Sequence, residues 1–397
     1  MSEWKELKLG DILDVKHGYA FSGSGITEIP TENILITPGN FHIGGGFKGT
    51  KFKYFNSVFP PEYVLKEGDV VITMTDLSKE TDTLGYSAII PKHHGIRFLH
   101  NQRIGLVLFK SEAVSKDFIY WILRTKEYQG YIVGSASGTS IMHTAPSRIK
   151  DYSFLTPPLP EQKSIASVLS SLDDKIDLLH RQNATLEKMA ETLFRKWFVD
   201  DAKEDWKEVE LGSVVESTSG GTPSRTNVRF YENGTIHWVK SKELNGSFIL
   251  ETEEMITEEA LRKSSAKILP VNSILIAMYG ATVGEYAILT KEMTCNQAVC
   301  ALIPNKNYPY TYLFLLIKYN KEELINMAVG SAQQNISQWL IKQLSVLNCI
   351  DQIECFNLHV EPLFEKIKSN QIQIRTLNTL RDTLLPKLMS GEIRVEI

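Results

Sequence analysis

Two stretches of the chain place mostly apolar residues at alternating steps of four and three. The first runs Ile165, Leu169, Leu172, Ile176, Leu179, Asn183, Leu186, Ala190, Leu193 and Trp197. The second runs Phe356, Val360, Leu363, Ile367, Asn370, Ile374, Leu377, Arg381, Leu384 and Leu388. Such an alternation, held over successive heptads, predicts a coiled-coil seam in each stretch. Pro157-Pro158-Leu159-Pro160 precedes the first seam, and proline suits a helix start. Pro362 predicts a kink or restart inside the second helix, and Pro386 a bend or an end. An antiparallel pair with Ile165 level with Leu388 puts Asn183 in the layer of Asn370, each the lone asparagine of its seam. Two facing amides satisfy each other and penalise a slipped register. About 39 residues at ~1.5 Å rise make a spacer of roughly 58 Å.

Ahead of each seam the pattern changes. Residues 1–157 and 202–347 hold short apolar runs such as Val70-Val71-Ile72-Thr73-Met74, Gly105-Leu106-Val107-Leu108-Phe109 and Ser273-Ile274-Leu275-Ile276-Ala277. Gly, Pro and Asn turns separate them, as in a strand-rich mixed α/β domain. The runs Phe118–Leu123 and Tyr312–Ile317 predict short helices. The expected fold class is mixed α/β. Two similar domains, 1–157 and 202–347, alternate with helical segments 158–201 and 348–397 that form the antiparallel coiled coil.

The halves are copies. Trp4-Lys5-Glu6-Leu7-Lys8-Leu9-Gly10 recurs as Trp206-Lys207-Glu208-Val209-Glu210-Leu211-Gly212, and Asn101-Gln102 as Asn296-Gln297. Further matches link Leu84–Ile90 to Val283–Leu289, Ile149-Lys150 to Ile341-Lys342, and Lys175-Ile176 to Lys366-Ile367. Their offset falls from 202 at Trp4/Trp206 to 191 at Lys175/Lys366, so the first copy carries the longer loops. Loops that vary on a fixed scaffold are where specificity resides.

Composition adds bounds. No apolar stretch is long enough for a membrane span, and the N-terminus lacks an apolar signal core, so a cytoplasmic chain is expected. Cys295, Cys300, Cys349 and Cys355 lack CxxC spacing and read as buried thiols. A net charge of −4 does not favour nucleic acid, but phosphate contact needs only a local basic stripe. Basic groups cluster at Lys92-His93-His94-Gly95-Ile96-Arg97, with Arg103 close by.

Catalytic motifs are missing. Base-gripping by an adenine methyltransferase needs an aromatic after a double proline, which neither Pro60-Pro61-Glu62 nor Pro157-Pro158-Leu159 supplies. No GxxxxGK[ST] loop is present, Gly44-Gly45-Gly46 and Gly220-Gly221 read as turns, and Gly23-Ser24-Gly25 is a weak nucleotide signal. His93, His94 and His100 lack metal-ligand spacing and read as surface residues. The expectation is a chain that binds without catalysing.

The whole chain resembles the specificity subunits of type I restriction-modification systems. The resemblance rests on Leu193-Phe194-Arg195-Lys196-Trp197-Phe198-Val199-Asp200 after the first seam and Leu384-Leu385-Pro386-Lys387-Leu388-Met389-Ser390-Gly391-Glu392-Ile393 after the second. Pro157-Pro158-Leu159-Pro160-Glu161-Gln162, Gly220-Gly221-Thr222-Pro223-Ser224 and the Asn-Gln pairs add to it. The second helix departs from the family by lacking the Pro-Leu-Pro-Glu-Gln entry, reading Asn348-Cys349-Ile350-Asp351-Gln352 instead. The resemblance implies target-recognition domains that each read half of a bipartite double-stranded DNA target. It also implies two methyltransferase subunits docked on the helices and two restriction/translocase subunits, with S-adenosylmethionine, ATP and Mg on those partners. The rival readings are a DNA reader for another defence effector and a protein-binding scaffold.

Residues identical in both copies cannot distinguish two half-sites, although Asn and Gln suit adenine edges. A shared structural role is therefore expected for the Asn-Gln pairs. Expected DNA contacts are polar loop residues that differ: Thr37, Asn40, His42, Thr75, Asp76, Lys79 and Arg103 in the first domain. In the second they are Arg225, Lys240, Ser241, Lys242, Tyr279 and Gln333. Off-seam apolar residues Leu178, Phe194, Phe198, Ile372 and Leu385 are expected to dock the methyltransferase.

Overall fold

β-Branched and aromatic runs bounded by turn residues form the strands of both halves. The computed structural model describes residues 4–76, 78, 81–93, 95–138, 141–327 and 335–395. It divides into two units: residues 1–175 with 377–397, and residues 176–376. The division cuts both long helices, so each unit holds one α/β domain and a segment of each helix.

In the first unit the principal strands are β1 (Lys5–Lys8), β2 (Leu13–His17), β3 (Asn33–Ile36), β4 (Val70–Thr73), β5 (Ser87–Ile89), β6 (Arg97–His100), β7 (Ile104–Phe109) and β8 (Ser153–Thr156). A four-stranded antiparallel sheet has the order β2-β7-β4-β5. The β3 and β6 strands pair in parallel, with Leu35 opposite Leu99, in a second sheet. The β1 and β8 strands close the domain, Lys5 opposite Thr156. Val71, Ala88 and Ile104 pack against Ile34, Ile36 and Phe98, so the sheets share one apolar layer. The other face of the first sheet meets Phe118, Trp121, Tyr128 and, from the long helices, Ile165, Leu169 and Leu388. Helix α1 (Lys116–Ile122) starts at Ser115, whose Oγ accepts from the Phe118 N–H at 3.4 Å.

The second unit repeats this plan with β9 (Glu208–Glu210), β10 (Glu216–Ser219), β11 (Ile236–Val239), β12 (Ile274–Ala277), β13 (Tyr286–Leu289), β14 (Thr294–Cys295), β15 (Val299–Ile303) and β16 (Ser345–Leu347). The order β10-β15-β12-β13 reproduces β2-β7-β4-β5. The β11/β14 pair is parallel like β3/β6, and β9 pairs with β16 as β1 pairs with β8. Helix α2 (Tyr310–Tyr319) stands where α1 stands, its core face all buried.

The first long helix runs Leu159–Arg195 and ends in a π-helical turn, Lys196–Asp200. Pro160 sits in its first turn, where a missing N–H costs nothing. The second runs Ile350–Met389. It continues through Pro362 without the restart that the proline offered. Pro362 is exposed, so the carbonyl it leaves unpaired faces water. Pro386 falls in the last turn and ends nothing. In the second unit Ile176, Leu179, Val360, Ile367 and Ile374 are buried, and Trp197 packs on Phe356 with centroids 5.7 Å apart. In the first, Arg381 at its seam position donates to Asp173 at 2.7 Å. Within the second unit Asn183 meets Asn370 while Trp197 meets Phe356, so the two helix segments run antiparallel there.

Three cysteines are buried thiols; Cys355 is exposed on the second long helix, against expectation. Burial pushes the Cys295 and Cys300 thiols up to about 12.

Candidate nucleic-acid interface

The Asn-Gln pairs occupy one backbone device built twice. The Gly18 N–H donates to Ile104 O, and the Gly220 N–H to Val299 O. A Cβ on Gly18 would lie 2.1 Å from Asn101 O, and one on Gly220 2.2 Å from Cys295 O. Only glycine permits that approach at either site. The turn itself closes by Ile104 N–H to Asn101 O in one copy and Val299 N–H to Asn296 O in the other. Asn101 Oδ1 accepts from the Arg103 N–H at 3.0 Å, an internal role, whereas Asn296 Oδ1 is buried without a hydrogen-bond partner among the described residues, so the two copies share the backbone turn and not the side-chain bond. The glutamines differ: Gln102 and Gln297 are exposed, and Gln297 bonds Thr222 Oγ1.

Around the first of these turns the structure gathers a charged and aromatic surface. The Gln102 N–H donates to Tyr19 O at 2.9 Å. Tyr19, 38% exposed, packs on Tyr63 at 5.2 Å, and the Lys16 ammonium stands 4.6 Å over the Tyr63 ring. Arg103 is exposed beside them. A cation, an amide and aromatic rings on one face are the groups that contact phosphates and bases. Lys16, Tyr19 and Gln102 were not among the expected readers. Their signal was the glycine at position 18, which draws the three strand ends together.

Several expected contacts prove to be internal. Asn40 is buried; its Oδ1 accepts from the Thr37 N–H at 3.0 Å and Thr37 Oγ1 at 3.1 Å, fixing a turn rather than meeting a base. Thr75 is buried with its hydroxyl 3.1 Å from His143 Nδ1. Asp76 accepts from Ser78 N–H at 2.6 Å, Thr83 N–H at 2.7 Å and Thr83 Oγ1 at 2.6 Å. Burial opposes its ionisation, but these bonds outweigh it and hold the carboxyl below its usual range. Thr75 and Asp76 are thus corrected to internal residues of a short strand paired antiparallel with Met142-His143. His42 is exposed, and Lys79 lies outside the described residues. His100, expected on the surface, is buried with Nε2–H donating to Ile104 O at 2.8 Å. Burial pushes it down to about 4, so it is neutral. Arg97 of the basic cluster is held by Glu32 and by Asn33 Oδ1 at 2.8 Å.

In the second unit three expected cations converge on two carboxylates. Lys240 Nζ reaches Glu253 at 2.9 Å and Glu254 at 2.8 Å, and Lys242 reaches Glu253 at 2.8 Å. Arg225 reaches Glu254 at 2.5 Å and lies 4.4 Å from the Tyr231 and 4.8 Å from the Trp238 ring centroids. The bonds from Lys242 and Lys240 hold Glu253 down to about 2. All three cations therefore arrive already paired; Lys240 is the most enclosed, while Arg225 and Lys242 stay exposed. Ser241 is half-buried in a turn, Tyr279 is 42% exposed, and Gln333 lies outside the described residues.

On the helices, Leu178 and Ile372 are 50% and 49% exposed. Phe194 and Phe198, expected at a docking face, are instead buried against Tyr312 and Phe356. They anchor the end of the first long helix to the α/β domain of the second unit. Leu385 is likewise buried in the first unit's core.

Among the described residues, no group of three His, Cys, Asp or Glu could hold a metal, and no helix is long and apolar enough to cross a membrane. The model of the type I restriction modification DNA specificity domain matches residues 1–188 and 203–346, one match on each copy of the repeat. The chain belongs to that family. Among relatives of this specificity family, the MjaIX specificity subunit of Methanocaldococcus jannaschii is 26% identical over 362 residues, 85% of this chain and 79% of the relative. The HindI specificity subunit of Haemophilus influenzae is 24% identical, covering 99% of this chain and all of the relative (100%). The type I system S subunit of M. genitalium shares the fold, with a TM-score of 0.65, 18% identity, and coverage of 98% of this chain and 96% of that one. The duplicated specificity scaffold is a DNA sequence-recognition subunit.

Proposed function

We propose that each α/β domain reads one half of a bipartite double-stranded DNA target. The helix pair sets the spacing of the halves and docks two methyltransferase subunits, to which two restriction/translocase subunits add. S-adenosylmethionine, ATP and Mg act on those partners, while this chain supplies sequence selection alone. The observation that carries the reading is one scaffold built twice with different surfaces. The Gly18/Asn101 and Gly220/Asn296 turns coincide, while Lys16, Tyr19 and Arg103 beside the first have no matching set beside the second. Identical scaffolds with unlike surfaces suit two unlike half-sites. Mapping N6-methyladenine across the host genome, with and without this chain, tests it. The expected result is one bipartite motif that vanishes when the chain is removed. A map that does not change would leave the scaffold or other-effector readings.

A further inference from the structure

We propose that Arg124 is a positioning residue for DNA recognition, holding the Phe41–Phe47 ribbon to the long helices so that its tip, His42 and Ile43, meets the target. The inference rests on the reading of each domain as a half-site reader, and adds which loop reads and what fixes it.

The ribbon is a tight closed turn. Phe41 bridges Phe47, the His42 N–H donates to Gly46 O, and the Gly45 N–H donates to His42 O. Its tip projects: Ile43 is 70% exposed and His42 is exposed beside it. An exposed isoleucine at the end of a rigid turn has no role in the domain's own core.

Its ends are anchored by Phe41 in the apolar layer and by Phe47 against Phe98, and its outer turn is held by Arg124. Arg124 is buried, and its Nε donates to Gly44 O at 2.9 Å. Its Nη1 donates to Tyr120 Oη at 2.8 Å and to Asp173 on the first long helix. The guanidinium lies 4.2 Å from the Trp121 ring centroid, and the Trp121 indole N–H donates to Ser170 Oγ on that same helix. Asp173 in turn accepts from Arg381 of the second long helix. Gly45, at φ +85°, lies so close that a Cβ would stand 2.7 Å from Arg124 Cγ. Only the five-donor fork of arginine serves loop, tyrosine and carboxylate together.

The second unit fixes the matching loop by other means. Gly246 N–H donates to Tyr286 O as Gly46 N–H donates to Ser87 O. Lys318 stands at the position of Arg124 but reaches Glu191 on the first long helix at 2.5 Å. The loop is held directly from the second long helix, by Gln371 to Ser247 and by Arg375 to Glu251 at 2.6 Å. Two chemistries that tie the corresponding loop to a long helix are what positioning would require; shared core packing would have kept the same residues.

The experiment uses the full chain with its methyltransferase subunit, and reads the methylated motif together with thermal stability. The tip double variant His42→Ala/Ile43→Ser should keep its melting temperature. It should lose discrimination at one half-site by roughly tenfold or more, the size of one base contact. Arg124→Lys should lose the same half only, and Gln371→Ala the other half only. Unchanged discrimination in the tip variant, with a bipartite motif still read by the parent, overturns the proposal. A parent complex that modifies no bipartite motif overturns the functional reading instead.

Discussion

The Asn370 amide donates through Nδ2 to Asn183 Oδ1 at 2.7 Å, in a layer where the two side chains are 1% and 6% exposed. The same Nδ2 reaches Gln182 Oε1 at 2.9 Å. Apolar layers tolerate a slip by one heptad, whereas this layer does not, because a slip leaves each amide against an aliphatic residue. Replacing Asn370 by Leu should cost ~1–3 kcal/mol by orphaning the Asn183 amide, and replacing Asn183 by Leu should cost less, because Asn370 Nδ2 keeps Gln182 Oε1. Replacing both should recover most of that loss. Chemical denaturation of the two single variants and the double gives the coupling directly. Additive losses would show that the amides do not act as a pair.

The helix register was legible in the sequence because a heptad seam exposes its own polar exceptions. Asn183 and Asn370 stand out against leucine and isoleucine, and layer arithmetic places them together. Arg381 stood out equally, and its partner Asp173 lies off the seam, where no pattern points to it. The readout residues were less legible. Arg225, Lys240 and Lys242 look like phosphate contacts until Glu253 and Glu254 fold back onto them. Asn40 and Asp76 look like base readers, but short polar side chains bond their own backbone equally well. Phe194 and Phe198 lie off the 4-3 pattern because they serve a second packing face, toward Tyr312. Periodicity reports that a face is apolar, not which surface covers it.

Exchanging residues 202–347 for the same segment of another family member should change one half of the methylated motif. The exchange keeps both long-helix segments of the Asn183/Asn370 layer, so spacing should persist. The methylome of the hybrid reads both quantities at once. A motif altered in both halves would defeat the modular reading.

Leu178→Glu and Ile372→Glu should weaken assembly with the methyltransferase while leaving the fold intact, since both side chains are half-exposed on the helices. Phe194→Ala separates the two roles of apolar helix residues. It should cost ~3–5 kcal/mol of domain stability through the cavity left beside Tyr312 and Phe356. Size-exclusion assembly and thermal unfolding of the same three variants check this. Undiminished complexes of Leu178→Glu and Ile372→Glu would remove these positions from the docking surface.

Acid should weaken the first unit through His100. Its ring is buried and neutral, donating to Ile104 O at the end of β6, and its pKa is pushed down to about 4. An unfolded histidine titrates near 6.5. Below that pH the unfolded chain takes up a proton that the folded ring refuses, so its stabilising contribution is complete above 6.5 and declines toward 4. The linked loss across that window is ~3 kcal/mol. A carboxylate such as Glu253, held down to about 2, starts to add its own loss only near the unfolded value of about 4.3, at the foot of that window. Unfolding followed from pH 7 to 4 should therefore show a fall in stability that His100→Gln flattens, at the expense of a lower plateau at neutral pH. If the parent and His100→Gln lose stability in parallel between pH 6.5 and 4, the buried ring is not the source of the acid sensitivity.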